Sequence, residues 1–167
     1  FYESLNFAVL KELPILFICE NNLYSVYSPL SVRQPKGRSI NKLASAIGAK
    51  TAHCDGNNVL ETRSVLNEII SDIKYKNPFP WFVEFDTYRW REHCGYQFDN
   101  DIGYRTQEEF EKWKLRDPIK LFLENFGDID FTKINENLVN EVNEAFQKAK
   151  TDPFPQKEEA YKSLYKL

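Results

Sequence analysis

The chain predicts an α/β protein built on a doubly wound, mostly parallel sheet. Short, nearly continuous apolar runs such as "ILFICE" and "WFVEFDT" read as strands covered on both faces. Helical stretches separate these two runs from a third strand-like segment, "KTAHCDG". The resulting order is helix, strand, helix, strand, helix, strand, which calls for parallel βαβ units rather than hairpins.

Each element has its own signal. Phe1 to Leu10 carries Leu5, Ala8 and Val9 at helical spacing, and Pro14 closes it. "ILFICE" follows, with the pattern of a central strand. "SINKLASAIGA" predicts a helix with Ser39 as N-cap and Gly48 just past its end. "KTAHCDG" is a short strand stopped by Asp55-Gly56. Val59 to Ile73 places Val59, Leu66, Ile69, Ile70 and Ile73 on one side of an amphipathic helix. "NPFP" breaks that helix, and "WFVEFDT" is the next buried strand.

From about residue 106 to 167 the chain reads as a helical extension. Thr106 and Glu109 form a Thr-x-x-Glu capping box. Asp117-Pro118 caps a short helix that ends near Gly127. A long helix from about Phe131 to Ala149 carries Ile134, Leu138, Val142, Ala145 and Ala149 on one face. After "TDPFPQKEE", Tyr161, Leu164 and Tyr165 are placed to dock a final short helix.

The 167 residues suffice for one sizeable core. A hydrophobic content of 42% and a net charge of −3 give no reason to expect nucleic acid or an anionic membrane as a partner. The longest apolar run, Leu13 to Cys19, is too short to span a bilayer. Cys19, Cys54 and Cys94 lie far apart, with no CxxC, and read as reduced thiols. The chain has no methionine and opens inside a helix without a cap. The expectation is therefore a C-terminal part of a longer protein.

Two loops carry candidate chemistry. Asn21, Asn22 and Tyr24 sit where "ILFICE" ends, and open parallel sheets bind ligands beyond the carboxyl ends of their strands. An asparagine offers a neutral oxygen to a hard cation such as Mg²⁺; it is also common in plain turns. "TYRWREHCGY" follows the third strand, with Arg89, Arg91 and His93 able to meet an anion or to lie in water. A Cys94/His93 nucleophile pair is disfavoured, because sequence neighbours rarely point at one another. Asp55-Gly56-Asn57-Asn58 reads first as a turn. No GxGxxG, P-loop, HExxH or GxSxG is present.

Taken together, "FYESLNFAVLKELPILFICENNLYSVYSP" and "FVEFDTYRWREHCGYQFDNDIGYRTQEEFEKWKLRDPI" resemble the alpha subunit of the decarboxylating component of 2-oxo acid dehydrogenases. This is the pyruvate, branched-chain and acetoin group, whose enzymes use thiamine diphosphate and Mg²⁺. "CDGNN" and "KAKTDPFP" extend the resemblance, in order, over essentially the whole chain. It implies the thiamine-diphosphate-binding fold, with residues 1–167 as the C-terminal part of one such domain, incomplete at the N-terminus.

In that family a motif opening with Gly-Asp-Gly ends in Asn-Asn, and "ENN" resembles its end. The resemblance makes Asn22, through its side-chain oxygen, and Tyr24, through its carbonyl, ligands of the Mg²⁺ that holds the coenzyme's diphosphate. The opening Gly-Asp-Gly would lie a few residues before Phe1. His93 matches the active-site histidine, near the diphosphate and the reacting centre; Arg89 matches an arginine common in that loop. Histidine suits proton handling near neutral pH.

The implied activity is decarboxylation of a 2-oxo acid, with pyruvate first, and transfer of the acyl group to lipoamide. The implied partners are a beta subunit in a heterotetramer, which supplies the activating glutamate, and a lipoyl acyltransferase component. Where mammalian pyruvate dehydrogenase has regulatory serines, this chain has Cys94 and Gly103, so phosphorylation at those positions is not available. "WREHCG" is closer to bacterial relatives, hence a cytoplasmic location rather than the mitochondrial matrix. Two other readings stay open: a non-catalytic alpha-like piece that only binds a beta subunit, and a related thiamine enzyme such as acetoin dehydrogenase.

Overall fold

A computed structural model of the chain describes residues 1–127 and 130–162. It divides into two compact units, Phe1–Asn125 and Phe126–Leu167. The first is an α/β unit. Helix α1 (Tyr2–Leu10) leads into β1 (Leu16–Asn21), and a small antiparallel ribbon, β2 (Tyr24–Ser25) and β3 (Ser28–Pro29), follows. After the single turn α2 (Leu30–Arg33) come α3 (Ile40–Ile47), β4 (Lys50–Asp55), α4 (Val59–Tyr75) and β5 (Trp81–Asp86). Helices α5 (Gln107–Lys114) and α6 (Pro118–Asn125) complete the unit.

The three long strands are parallel in the order β1-β5-β4. The chain passes from β1 beyond β5 to β4, then reverses to β5. A single crossover hand therefore puts the two connecting helices on opposite faces. That is where they lie. Leu5 of α1 and Ala44 of α3 pack with Phe82 on one face, while Ile69 of α4 packs with Val83 and Phe85 on the other.

Local signals set the helix ends as the sequence predicts. Ser39 Oγ accepts from Lys42 N–H, and Gly48 turns the chain at φ +114°, where a Cβ would meet Val9 at 2.9 Å. Thr106 Oγ accepts from Glu109 N–H, and Asp117 Oδ1 accepts from Ile119 and Lys120 N–H. Asn58, read in the sequence as part of a turn, is the N-cap of α4.

Three expectations need correction. "ILFICE" forms the outer strand among the described residues, with Ile18 54% exposed, and "WFVEFD" is central. Strand order is a long-range outcome that an apolar run cannot encode. In α4 the buried side is built by Val65, Leu66, Ile69 and Ile73, while Val59 and Ile70 stay exposed. The capping box at Thr106 is half made, because the Glu109 carboxylate binds Tyr24 instead.

The sequence boundary near residue 106 marks the change to an all-helical chain, whereas the compact units divide at Asn125. The second unit holds α7 (Thr132–Thr151) and a 3-10 turn at Lys157–Tyr161. Ile134, Leu138 and Val142 share one face of α7, as the spacing predicts, but each is at least half exposed. Tyr161 closes the 3-10 turn; Leu164 and Tyr165 lie outside the described residues.

Candidate functional site

Parallel pairing brings Asn21, Asp86 and Asp55, the last residues of β1, β5 and β4, into one row at the carboxyl edge of the sheet. Each strand opens there into a polar loop. After β1, the chain turns through Asn22-Leu23-Tyr24, with Leu23 in the left-handed region at φ +69°. Asn22 Oδ1 accepts from Tyr24 N–H at 3.1 Å, which orients the amide oxygen. The Leu23 carbonyl accepts from Leu30 N–H at 2.8 Å, closing the small ribbon.

Tyr24 reaches across to α5. Its hydroxyl donates to the Glu109 carboxylate, 2.8 Å from Oε1. Burial, reinforced by that hydrogen bond, pushes the phenol up to about 12, so it stays a donor at neutral pH.

The turn after β4 is locked to β5. Asp55 Oδ1 accepts from Asn57 N–H, and Gly56 N–H donates to the Asp86 carbonyl. A Cβ on Gly56 would sit 2.9 Å from Phe85 Cβ, so only glycine fits this approach. Buried Asn57 takes the Thr87 hydroxyl at 2.9 Å and donates to the Arg116 carbonyl. Arg116 pairs with Asp55 at 2.6 Å.

The loop after β5 is built on Arg105. Its side chain is fully buried; Nη2 pairs with Asp99 at 2.5 Å and also donates to the Trp90 carbonyl, while Nη1 donates to the Arg89 carbonyl. Tyr88, Tyr104 and Phe110 surround the guanidinium at 5.0–5.7 Å from their ring centres. Above this base the chain doubles back, with Arg91 bridged to Phe98 and Glu92 N–H donating to the Gln97 carbonyl. His93, Cys94 and Gly95 form the exposed tip.

A cavity of about 870 Å³ opens at this edge on the α4 side of the sheet. Asn22, Gly56, Thr87 and Trp90 line it, and Arg89, Arg91 and Lys114 bring three positive charges to its wall. The buried Trp90 Nε1–H has no hydrogen-bond partner among the described residues. Oxygen donors at Asn22 and Tyr24 with cations nearby fit a hard divalent ion carrying a phosphorylated ligand.

The structure thus brings Asn22, Arg89 and Arg91 to one cavity and places Tyr24 beside Asn22. His93 is not part of the cavity wall. No hydrogen bond joins His93 to Cys94 among the described residues, and burial pushes both the Cys19 thiol, to about 11, and the Cys54 thiol up. Neither arrangement favours a cysteine nucleophile. Sequence reasoning missed Lys114, at the end of α5, and the buried Glu84. A carboxylate flanked by Val83 and Phe85 in a buried strand was the available signal for the second.

Fold and cavity define the class: an α/β protein with a cation-walled cavity at the carboxyl edge of a parallel sheet. The sequence model of the dehydrogenase E1 component family matches residues 1–158, and the chain belongs to that family. It is 31% identical, over 98% of its length and 51% of the relative's, to the pyruvate dehydrogenase E1 component subunit alpha of Rickettsia bellii. It is 30% identical, over 99% of its length and 51% of the relative's, to the 2-oxoisovalerate dehydrogenase subunit alpha of Bacillus subtilis. A chloroplastic pyruvate dehydrogenase E1 component subunit alpha-3 of Arabidopsis thaliana is 31% identical over 99% of this chain and 39% of its own length. The chain spans about half the length of the first two relatives.

Proposed function

We propose that the chain is the alpha-subunit part of a bacterial, cytoplasmic 2-oxo acid dehydrogenase. In this reading it helps hold thiamine diphosphate through Mg²⁺, and the assembled enzyme decarboxylates pyruvate and passes the acyl group to lipoamide. The observation that carries it is the meeting of Asn22 with Arg89, Arg91 and Lys114 around one cavity at the strand ends. The family membership supports it. A branched-chain 2-oxo acid is the second reading for the substrate, favoured by the similar identity to the 2-oxoisovalerate relative.

Bound thiamine diphosphate would supply the electron sink for loss of CO₂. The chain's own residues hold and orient. Asn22 Oδ1, already aimed by Tyr24 N–H, and the Tyr24 carbonyl would face the cation. Arg91 and Lys114 would meet the diphosphate's charge. Arg89 donates to the Val26 carbonyl at 2.9 Å and so ties the loop after β5 to the turn after β1. His93, on the exposed tip, would swing in to hold or move a proton near the reacting centre. The assembly is completed by a beta subunit and a lipoyl acyltransferase component.

Calorimetric titration of thiamine diphosphate with Mg²⁺ into the native-length protein, assembled with its beta partner, tests the site. Asn22→Ala should weaken binding at least about tenfold. Equal affinities for variant and wild type would remove Asn22 from the site. Turnover of pyruvate against branched-chain 2-oxo acids by the same assembly decides the substrate.

A further inference from the structure

Glu84 is a carboxylate in the central strand, 6% exposed between Val83 and Phe85. Burying such a charge costs several kcal/mol unless it is well satisfied. It forms no ion pair among the described residues. Instead Oε1 accepts from Asn21 Nδ2 at 2.8 Å, and Oε2 accepts from the Asn41 N–H at 3.0 Å, in the first turn of α3. One buried carboxylate therefore joins the end of β1, the centre of β5 and the start of α3.

Asn21 is the residue before the turn that carries Asn22 and Tyr24. Its carbonyl accepts from Thr87 N–H at 3.2 Å, and its Oδ1 faces Leu23 N–H at 3.4 Å. Leu23 itself is held left-handed, a conformation in which the Cβ of a leucine crowds the following carbonyl oxygen. Such a conformation persists only where its surroundings over-determine it. The surroundings are Glu84–Asn21 before it, and Leu30 N–H and the Tyr24–Glu109 bond after it.

We propose that Glu84 is a positioning residue for this turn. Through Asn21 it fixes the direction in which Asn22 and Tyr24 offer their oxygens to a divalent cation. The proposal rests on the reading of Asn22 and Tyr24 given above. Without the Glu84 anchor the Asn21 amide turns away, Leu23 relaxes, and the two oxygens separate.

The test measures the Mg²⁺ concentration needed for half-maximal thiamine-diphosphate binding, by calorimetry or tryptophan fluorescence, in the native-length protein with its beta partner. Glu84→Gln and Asn21→Ala should each raise it about tenfold, the low end of what loss of outer-shell support costs a metal site, because they act on the turn that carries the ligands. Coenzyme affinity should return close to wild type at saturating Mg²⁺. The double variant should be no worse than either single one, because the two act in series. Lys50→Ala, at the opposite end of the sheet where it pairs with Asp72, should leave the Mg²⁺ requirement unchanged even if it lowers the melting temperature. If Glu84→Gln does not fold, Asn21→Ala at the strand end carries the test. Unchanged Mg²⁺ requirements in Glu84→Gln and Asn21→Ala, beside a raised one in Asn22→Ala, would overturn the positioning role and leave the site standing. An unchanged requirement in Asn22→Ala would overturn both.

Discussion

Two loops leave the same edge of the sheet and are built by different means. The turn after β1 is three residues long and carries strain that its hydrogen bonds hold in place: Leu23 and, just beyond, Val26 are both left-handed, at φ +69° and +56°. The loop after β5 runs from Thr87 to Thr106 and is held at its base by Arg105, with His93, Cys94 and Gly95 exposed at its tip. In the short turn the Asn22 amide oxygen is already oriented, by the Tyr24 N–H. The long loop has a fixed root and a free end, and the free end carries His93. Under the proposed function the pair would separate binding from chemistry: a rigid clasp, and an arm that would close on what the clasp holds.

The largest expected effect breaks the root of the arm. Arg105→Ala leaves the buried Asp99 without its cation, with the Tyr104 hydroxyl still donating to it, and empties the space between Tyr88, Tyr104 and Phe110. Removing one member of a buried pair costs about 3–5 kcal/mol. Urea denaturation should show a loss of that size. A loss below about 1 kcal/mol, as for an exposed pair, would mean that the loop is not anchored there.

Arg105 also shows where sequence reading stops. Ser39, Gly48, Thr106 and Asp117 were legible because a cap is decided within four residues. The candidate ligands Asn22 and Tyr24 were legible through resemblance and through their place at a strand end. Arg105 and Glu84 act across 6 and 63 positions of chain, as in Arg105–Asp99 and Asn21–Glu84, and Lys114 reaches the cavity wall only through the fold. Their partners are set by the packed fold, which no local pattern encodes. In the sequence, the segment from Trp90 to Arg105 is mostly polar and shows few apolar residues that could anchor it. The structure supplies anchors: the Arg105 base, and Phe98 edge-on to Phe110 at 5.5 Å.

That narrows the second prediction. On adding Mg²⁺ and thiamine diphosphate to the assembled enzyme, amide exchange should slow by about tenfold, some 1.4 kcal/mol, at the tip around residues 92–97. The root and the β1 strand should change little. Slowing spread evenly from Trp90 to Arg105 would show that the whole loop orders as a unit. A tip fully protected beforehand would end the idea of a closing arm.

The third prediction tests strain in the clasp. Val26 is β-branched, left-handed and 39% exposed. Glycine there removes about 1–2 kcal/mol of steric cost and returns part of it as backbone entropy. Val26→Gly should therefore stabilise the protein by about 0.5–1 kcal/mol, read as a higher urea midpoint. Arg89 binds the Val26 carbonyl, not its side chain, so that link survives the change. Destabilisation by Val26→Gly would show that the left-handed turn is unstrained and that the contrast with the long loop lies elsewhere.

The smallest effect concerns the root of the long loop on the opposite sheet face. Asp86, the last residue of β5, takes His53 Nε2 at 2.9 Å, and this hydrogen bond raises the imidazole above its usual range. A histidine whose pKa is higher folded than unfolded adds stability that is complete below the unfolded value of about 6.5. The contribution fades as pH rises through the raised folded value. Both side chains are about half exposed, 51% and 47%, so solvent screens the pair to below about 1 kcal/mol. The urea midpoint of wild type should accordingly fall slightly more between about pH 6 and pH 8 than that of Asp86→Asn, which keeps the shape but not the charge. If Asp86→Asn shows the same fall, the dependence belongs to another group. The exposed pair would then contribute nothing to holding the arm, and its root would rest on Arg105 and on the lock between Asn57 and Thr87.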